Sequence, residues 1–154
     1  MKNKRGFTLI EILVTIAIIS LLGSLASIGV IKAMRSAKIK QAETDLAMIS
    51  SGIITLADAT GRWPNKAVRT TPGNTNVLDL TADSAGLLAL GTNSVTSFPN
   101  WNGPYCDDVM TDPWKNLYFF DPVYTVDGKS RIVVGSLGPN GKKDGDDIYI
   151  LLDD

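Results

Sequence analysis

Residues 7–31 read F-T-L-I-E-I-L-V-T-I-A-I-I-S-L-L-G-S-L-A-S-I-G-V-I, an apolar run whose one charged side chain is Glu11. A helix needs about 20 apolar residues to cross the hydrocarbon of a bilayer, and this run meets that length. Ionisable groups are expensive in such a setting, so their default reading is functional. The carboxylate has two escapes, protonation or pairing with a cation. No basic residue lies within helical reach inside the run.

Outward on the N-terminal side, Met1–Gly6 is short and basic (Lys2, Lys4, Arg5) and ends in glycine. A secretory signal peptide has a shorter apolar core, about 7–15 residues, followed by a small-residue cleavage site. Here the core is longer, and the small residues Ala17 and Ser24–Ser27 lie inside it. A signal anchor with a stray, snorkelling glutamate is the bland alternative. Basic residues also follow the run (Lys32, Arg35, Lys38, Lys40), so a positive-inside count does not decide orientation.

Outward on the other side, the helical pattern continues. Ala42, Leu46, Ile49, Ile53 and Leu56 recur at spacings of four and three, one face of an amphipathic helix. Lys38, Gln41, Thr44, Asp45 and Asp58 occupy its other faces. Gly61 and Trp63-Pro64 end it, because proline disfavours helix in the residue before it. One helix from about Phe7 to Thr60 is predicted. A loop follows over Lys66–Asn76. A short helix is predicted over Asp83–Leu90, capped by Asp83 or Ser84 and stopped at Gly91. Thr92–Thr111, rich in Asn, Gly and Pro, reads as irregular. Strands are predicted at Leu117–Asp121, Ser130–Ser136 and Asp147–Leu152, the first two joined at Asp127-Gly128 as a hairpin. The fold class is α+β: a long N-terminal helix packed on a small C-terminal antiparallel sheet.

Composition narrows the function. The chain has 154 residues, a net charge of −1 and no histidine. That length fits one membrane helix and one small domain. The balanced charge carries no nucleic-acid footprint, so no nucleic-acid partner is expected. The lone Cys106 cannot close an intramolecular disulfide; it reads as a buried thiol, or as one pairing between chains. Without histidine or a recognisable nucleophile turn, catalysis lacks an acid, base or nucleophile. Trp101, Tyr105, Trp114 and Tyr118 are read as aromatic core. Residues 136–148, S-L-G-P-N-G-K-K-D-G-D-D-I, concentrate oxygen donors at Asn140, Asp144, Asp146 and Asp147. Such a loop suits a hard cation such as calcium, and equally a solvated turn; zinc and copper are disfavoured. Lys142 and Lys143 break any EF-hand spacing.

Several of these stretches resemble one family. The leader followed by G-F-T-L-I-E resembles type IV prepilins. The segments W-N-G-P-Y (101–105), D-P-W-K-N-L-Y (112–118) and the S-L-G loop are similar to those of the major pseudopilin, the G subunit, of type II secretion systems. G-R-W-P (61–64) and the stretch from Gly86-Leu87 to Leu90 match its G-x-Y-P and G-L-x-x-L. The chain departs at Lys115 and Leu117, where the family has Gly and Pro. It departs also at Ile28, where many pilin helices have proline, and at Asn140, where the family has aspartate.

The resemblance implies a cytoplasmic prepilin leader (1–6), a transmembrane and assembly helix (7–31) and a periplasmic head (32–154). It implies cleavage after Gly6 by prepilin peptidase, N-methylation of Phe7, and pairing of Glu11 with the Phe7 amine of a neighbour. It implies calcium held by the Leu137 carbonyl with Asn140, Asp144, Asp146 and Asp147, Asn140 removing one negative charge from the set. The implied partners are membrane lipid before assembly, then a helical homopolymer, minor pseudopilins and an inner-membrane assembly platform. The expected place is the bacterial inner membrane, then a periplasmic filament. The alternative is a type IV pilin of an extracellular pilus serving adhesion, twitching or DNA uptake. Such pilins often close a C-terminal loop with two cysteines, a pair this chain lacks.

Overall fold

The computed structural model describes residues 6–89, 97–109 and 111–152, without the side chains of 24–28. The leader residues Met1–Arg5, the predicted helix end at Leu90 and Gly91, and the side chain of Ile28 lie outside that description. Helix α1 runs Leu9–Thr60, and contacts divide the chain into units 1–37 and 38–154.

In the first unit the sequence T-L-I-E starts the helix. Glu11 Oε2 accepts the Thr8 amide and the Thr8 hydroxyl, each at 3.0 Å, and the Glu11 amide donates to Thr8 Oγ1 at 3.3 Å. This is a reciprocal capping box, which satisfies donors a helix start otherwise leaves open. Polar side chains within the run turn inward to the backbone: Thr15 Oγ1 donates to the Glu11 carbonyl at 2.6 Å and Ser20 Oγ to that of Ile16 at 2.7 Å. The apolar side chains do the opposite. Leu9, Ile10, Ile12, Val14, Ile18 and Leu22 are all exposed, on every side of the helix. Among the described residues no helix is long and apolar enough to cross a membrane; the run expected to do so is interrupted in that description at 24–28.

In the second unit the predicted apolar face is the buried one. Ala42, Leu46, Ile49, Ile53 and Leu56 are each at most 3% exposed. The last four pack with Trp63, Leu80, Leu87, Phe98, Tyr118, Phe120 and Val134 in one core. Burying a side chain of this size contributes roughly 1.5–3 kcal/mol. The helix ends at Thr60, whose hydroxyl donates to the Leu56 carbonyl at 2.7 Å, and Gly61 continues with φ +69°.

Three antiparallel strands, β1 (Phe119–Val126), β2 (Lys129–Ser136) and β3 (Ile148–Leu151), form a sheet in the order β1-β2-β3. The hairpin turn falls at Asp127-Gly128, both at positive φ (49° and 75°), as a tight two-residue turn requires. β1 runs further than predicted because Pro122 sits in a bulge between Asp121 and Tyr124, where the ladder needs no amide from it. Val77 covers the outer edge of β1 by exchanging two 2.8 Å bonds with Phe120. One sheet face joins the α1 core through Phe120, Val134, Ile148 and Ile150. The opposite face carries a second cluster of Phe119, Tyr124 and Val133.

The predicted helix over Asp83–Leu90 is only a 3-10 turn, Asp83–Ala85, with Ala82 at its start and Gly86 (φ +75°) at its end. The carbonyls that a helix would use are taken elsewhere. Trp101 Nε1 donates to the Gly86 carbonyl at 2.7 Å, and the Tyr105 and Cys106 amides donate to that of Leu87 at 2.7 and 3.3 Å. Tertiary bonds from the W-N-G-P-Y segment thus outcompete a short helix. Tyr118 is buried as expected, whereas Trp101, Tyr105 and Trp114 are half-buried. Cys106 is half-buried rather than buried, and burial with the nearby Asp107 charge pushes its thiol pKa up.

Candidate metal centre and assembly residues

The D-P-W-K-N segment braces the loop that follows β2. Asp112 is 3% exposed, and its carboxylate accepts Ser136 Oγ (2.5 Å), the Asn116 amide (2.7 Å) and the Trp114 amide (3.0 Å). A buried charge persists where donors converge on it in this way. Asn116 Nδ2 then reaches the Gly138 carbonyl at 2.8 Å, and the Gly138 amide donates to Ser136 Oγ at 3.0 Å.

The loop itself turns on Gly138–Asn140, a 3-10 turn closed by Gly141 at φ 65°. Gly138 has φ +65°, and a Cβ there would lie 2.7 Å from the Asp146 carbonyl oxygen. Only glycine lets the two ends of the loop approach so closely. Asp144, Asp146 and Asp147 each offer a carboxylate oxygen, all within 4.8 Å of one another. That separation suits oxygens about 2.3–2.6 Å from one shared cation. Asn140 Nδ2 donates to Asp144 Oδ2 (2.8 Å) and Asp146 Oδ1 (2.9 Å), while its Oδ1 accepts the Lys142 amide at 2.6 Å. Leu137 stands just before the turn, half-buried beside the second cluster, and is not a member of the carboxylate group.

Asp144 and Asp146 share a hydrogen bond. It is the main reason the Asp144 carboxyl lies below, and the Asp146 carboxyl above, the usual carboxylate range. Asp147 differs from both. Its Oδ2 accepts the Tyr124 hydroxyl at 2.5 Å, while its Oδ1 is buried and, among the described residues, has no hydrogen-bond partner. A buried anionic oxygen without a donor is costly, and a cation among the three carboxylates removes that cost. The residues present therefore fit a hard cation. Lys143 Nζ meets Asp121 Oδ2 at 2.6 Å and lies 4.6 Å from the centre of the Tyr124 ring.

Of the predicted assembly residues, Phe7 is 84% exposed, and no described residue lies within 4 Å of where a Cβ on Gly6 would stand. Glu11 is exposed, and among the described residues its carboxylate bonds to Thr8 as described above. Sequence reasoning missed the capping box, although T-x-x-E ahead of an apolar run is its signature. It also missed Asp112, Asp121, Tyr124 and Lys143, which no local spacing marks.

Comparison with known families gives two matches. The family model of the prokaryotic N-terminal methylation motif matches residues 1–27. That of the type II secretion system (T2SS), protein G, matches residues 29–151. No curated protein and no solved structure matches the chain significantly.

Proposed function

The chain belongs to the type II secretion system protein G family, the major pseudopilins of the secretion pseudopilus, and on that premise we propose how its own residues serve the filament. It is a structural subunit, not a catalyst. Prepilin peptidase cuts after Gly6 and the new terminal amine, on Phe7, is methylated. Residues 7–31 hold the subunit in the inner membrane, with 32–154 in the periplasm, until it polymerises with copies of itself. Minor pseudopilins and an inner-membrane platform are its further partners.

The observation that carries this reading is the N-terminal half of α1: apolar side chains exposed on all sides, and one carboxylate, Glu11, next to the start. A helix apolar all round is stable only in lipid or among other helices. In a bundle of parallel helices the Phe7 amine of one copy meets Glu11 of the next, and the pair favours one axial stagger. The expense of a carboxylate in lipid then becomes a drive toward assembly.

We infer a calcium site formed by Asp144, Asp146 and Asp147, with the Leu137 carbonyl as a further oxygen donor and Asn140 as another once its amide turns its oxygen, now bonded to the Lys142 amide, toward the ion. Calcium bound there offsets most of the cluster's negative charge and ties the loop to the end of β2. Two measurements test the reading together. Mass spectrometry of assembled filaments is expected to find methylated Phe7 as the first residue, and Glu11→Ala is expected to leave the head folded but without filaments. An intact Met1 terminus in filaments, or wild-type assembly by Glu11→Ala, contradicts it.

A further inference from the structure

Between Asp121 and Tyr124, β1 carries Pro122 and Val123 against Ile132 alone on β2. Residues three apart on a regular strand point to opposite faces; the bulge changes that. Asp121 pairs with Val133 and Tyr124 with Arg131, so both side chains stand on the sheet face turned away from the α1 core. Asp121 is buried there at 2% exposure. Its Oδ1 accepts the Val123 amide at 2.9 Å, and its Oδ2 receives the ammonium of Lys143, a residue of the acidic loop, at 2.6 Å. The same ammonium lies over the Tyr124 ring. Tyr124 in turn spends its hydroxyl on Asp147 Oδ2.

We propose that Asp121, Lys143 and Tyr124 form a clasp that positions Asp147 for the cation. None of the three is a ligand. The ion pair ties the loop to β1 without any metal, because a carboxylate buried as deeply as Asp121 requires a partner charge. The Tyr124 hydroxyl fixes the Asp147 carboxylate by one oxygen and leaves the other, Oδ1, buried and without a donor among the described residues, as the atom offered to the metal. A loop ordered beforehand loses less freedom on binding, so affinity rises without an added ligand. Outer-sphere partners of this kind typically set metal affinity by about 10–100-fold. The proposal rests on the reading that the acidic loop holds calcium.

The test is a calcium titration by calorimetry on the metal-stripped full chain in detergent micelles, with melting temperatures taken with and without calcium. Tyr124→Phe is expected to weaken binding by about tenfold or more. Its metal-free melting temperature should move far less than its calcium-loaded one. Lys143→Gln is expected to weaken binding likewise, and Lys143→Arg to restore it. Equal or tighter binding by Tyr124→Phe, beside a wild type that binds calcium, overturns the clasp. So does a loss of melting temperature equal in both states, which would make Tyr124 merely structural. A wild type that binds no calcium at all brings down the metal reading itself and the clasp with it, a result distinct from the other two.

Discussion

Asp112 shows how much one side chain organises. Its carboxylate gathers Ser136, Trp114 and Asn116, and through Asn116 it reaches the Gly138 carbonyl. In the sequence the residue reads as half of an Asp-Pro turn, and the turn is there: the Lys115 amide donates to the Asp112 carbonyl at 2.8 Å. What local spacing does not reveal is that the side chain is buried and holds a segment more than twenty positions later. Asp112→Ala is expected to strip several buried donors at once. At about 1.5–3 kcal/mol for a hydrogen bond to a charged group, the loss should exceed about 3 kcal/mol, read as a lower midpoint in chemical denaturation of the head. Glu11 teaches the complementary lesson. Its role in the capping box was legible in T-L-I-E, and the cost of its charge in an apolar run drew attention away from it.

Among the elements, the second half of α1 was the most legible, because helical periodicity and burial report the same face. Neighbouring positions test this sharply. Ile53 is fully buried whereas Ile54 is 39% exposed. Ile53→Ala is expected to cost about 2–5 kcal/mol, and Ile54→Ala to stay within about 1 kcal/mol, both measured by denaturant unfolding. The strands were legible in number and order but less so in extent. β1 reaches Val126 because its bulge absorbs Pro122, a device that propensity does not encode. The helix predicted over Asp83–Leu90 was lost to bonds from Trp101, Tyr105 and Cys106, residues well outside the local window. In the acidic loop Asp144, Asp146 and Asp147 stood out by composition. Lys143 interrupts the ligand pattern in the sequence, yet its ammonium bonds to the buried Asp121.

For the whole molecule, the family match makes the chain a major pseudopilin, and the fold gives it a long N-terminal helix and a C-terminal head built on a three-stranded sheet. The proposed calcium site would link the head's stability to pH in a stated direction. The Asp146 carboxyl, raised by its bond to Asp144, takes up a proton at higher pH than an ordinary carboxyl. A folded-state pKa above the unfolded value means that acidification favours the metal-free fold at this group. The same proton competes with the cation, which needs the carboxylate. The gain in melting temperature on adding calcium to the metal-free chain is therefore expected to shrink as pH falls into the carboxylate range. A gain independent of pH there would contradict it.

Glu11 caps the helix and is proposed also as a charged partner between copies, and one substitution divides the two roles. Glutamine serves in a capping box as glutamate does but carries no charge. The most direct measurement is therefore electron microscopy of filaments assembled from Glu11→Gln, beside Thr8→Ala, which weakens the cap and keeps the charge. The account predicts that Glu11→Gln forms no filaments while Thr8→Ala still does. Filaments of normal length and number from Glu11→Gln would contradict it.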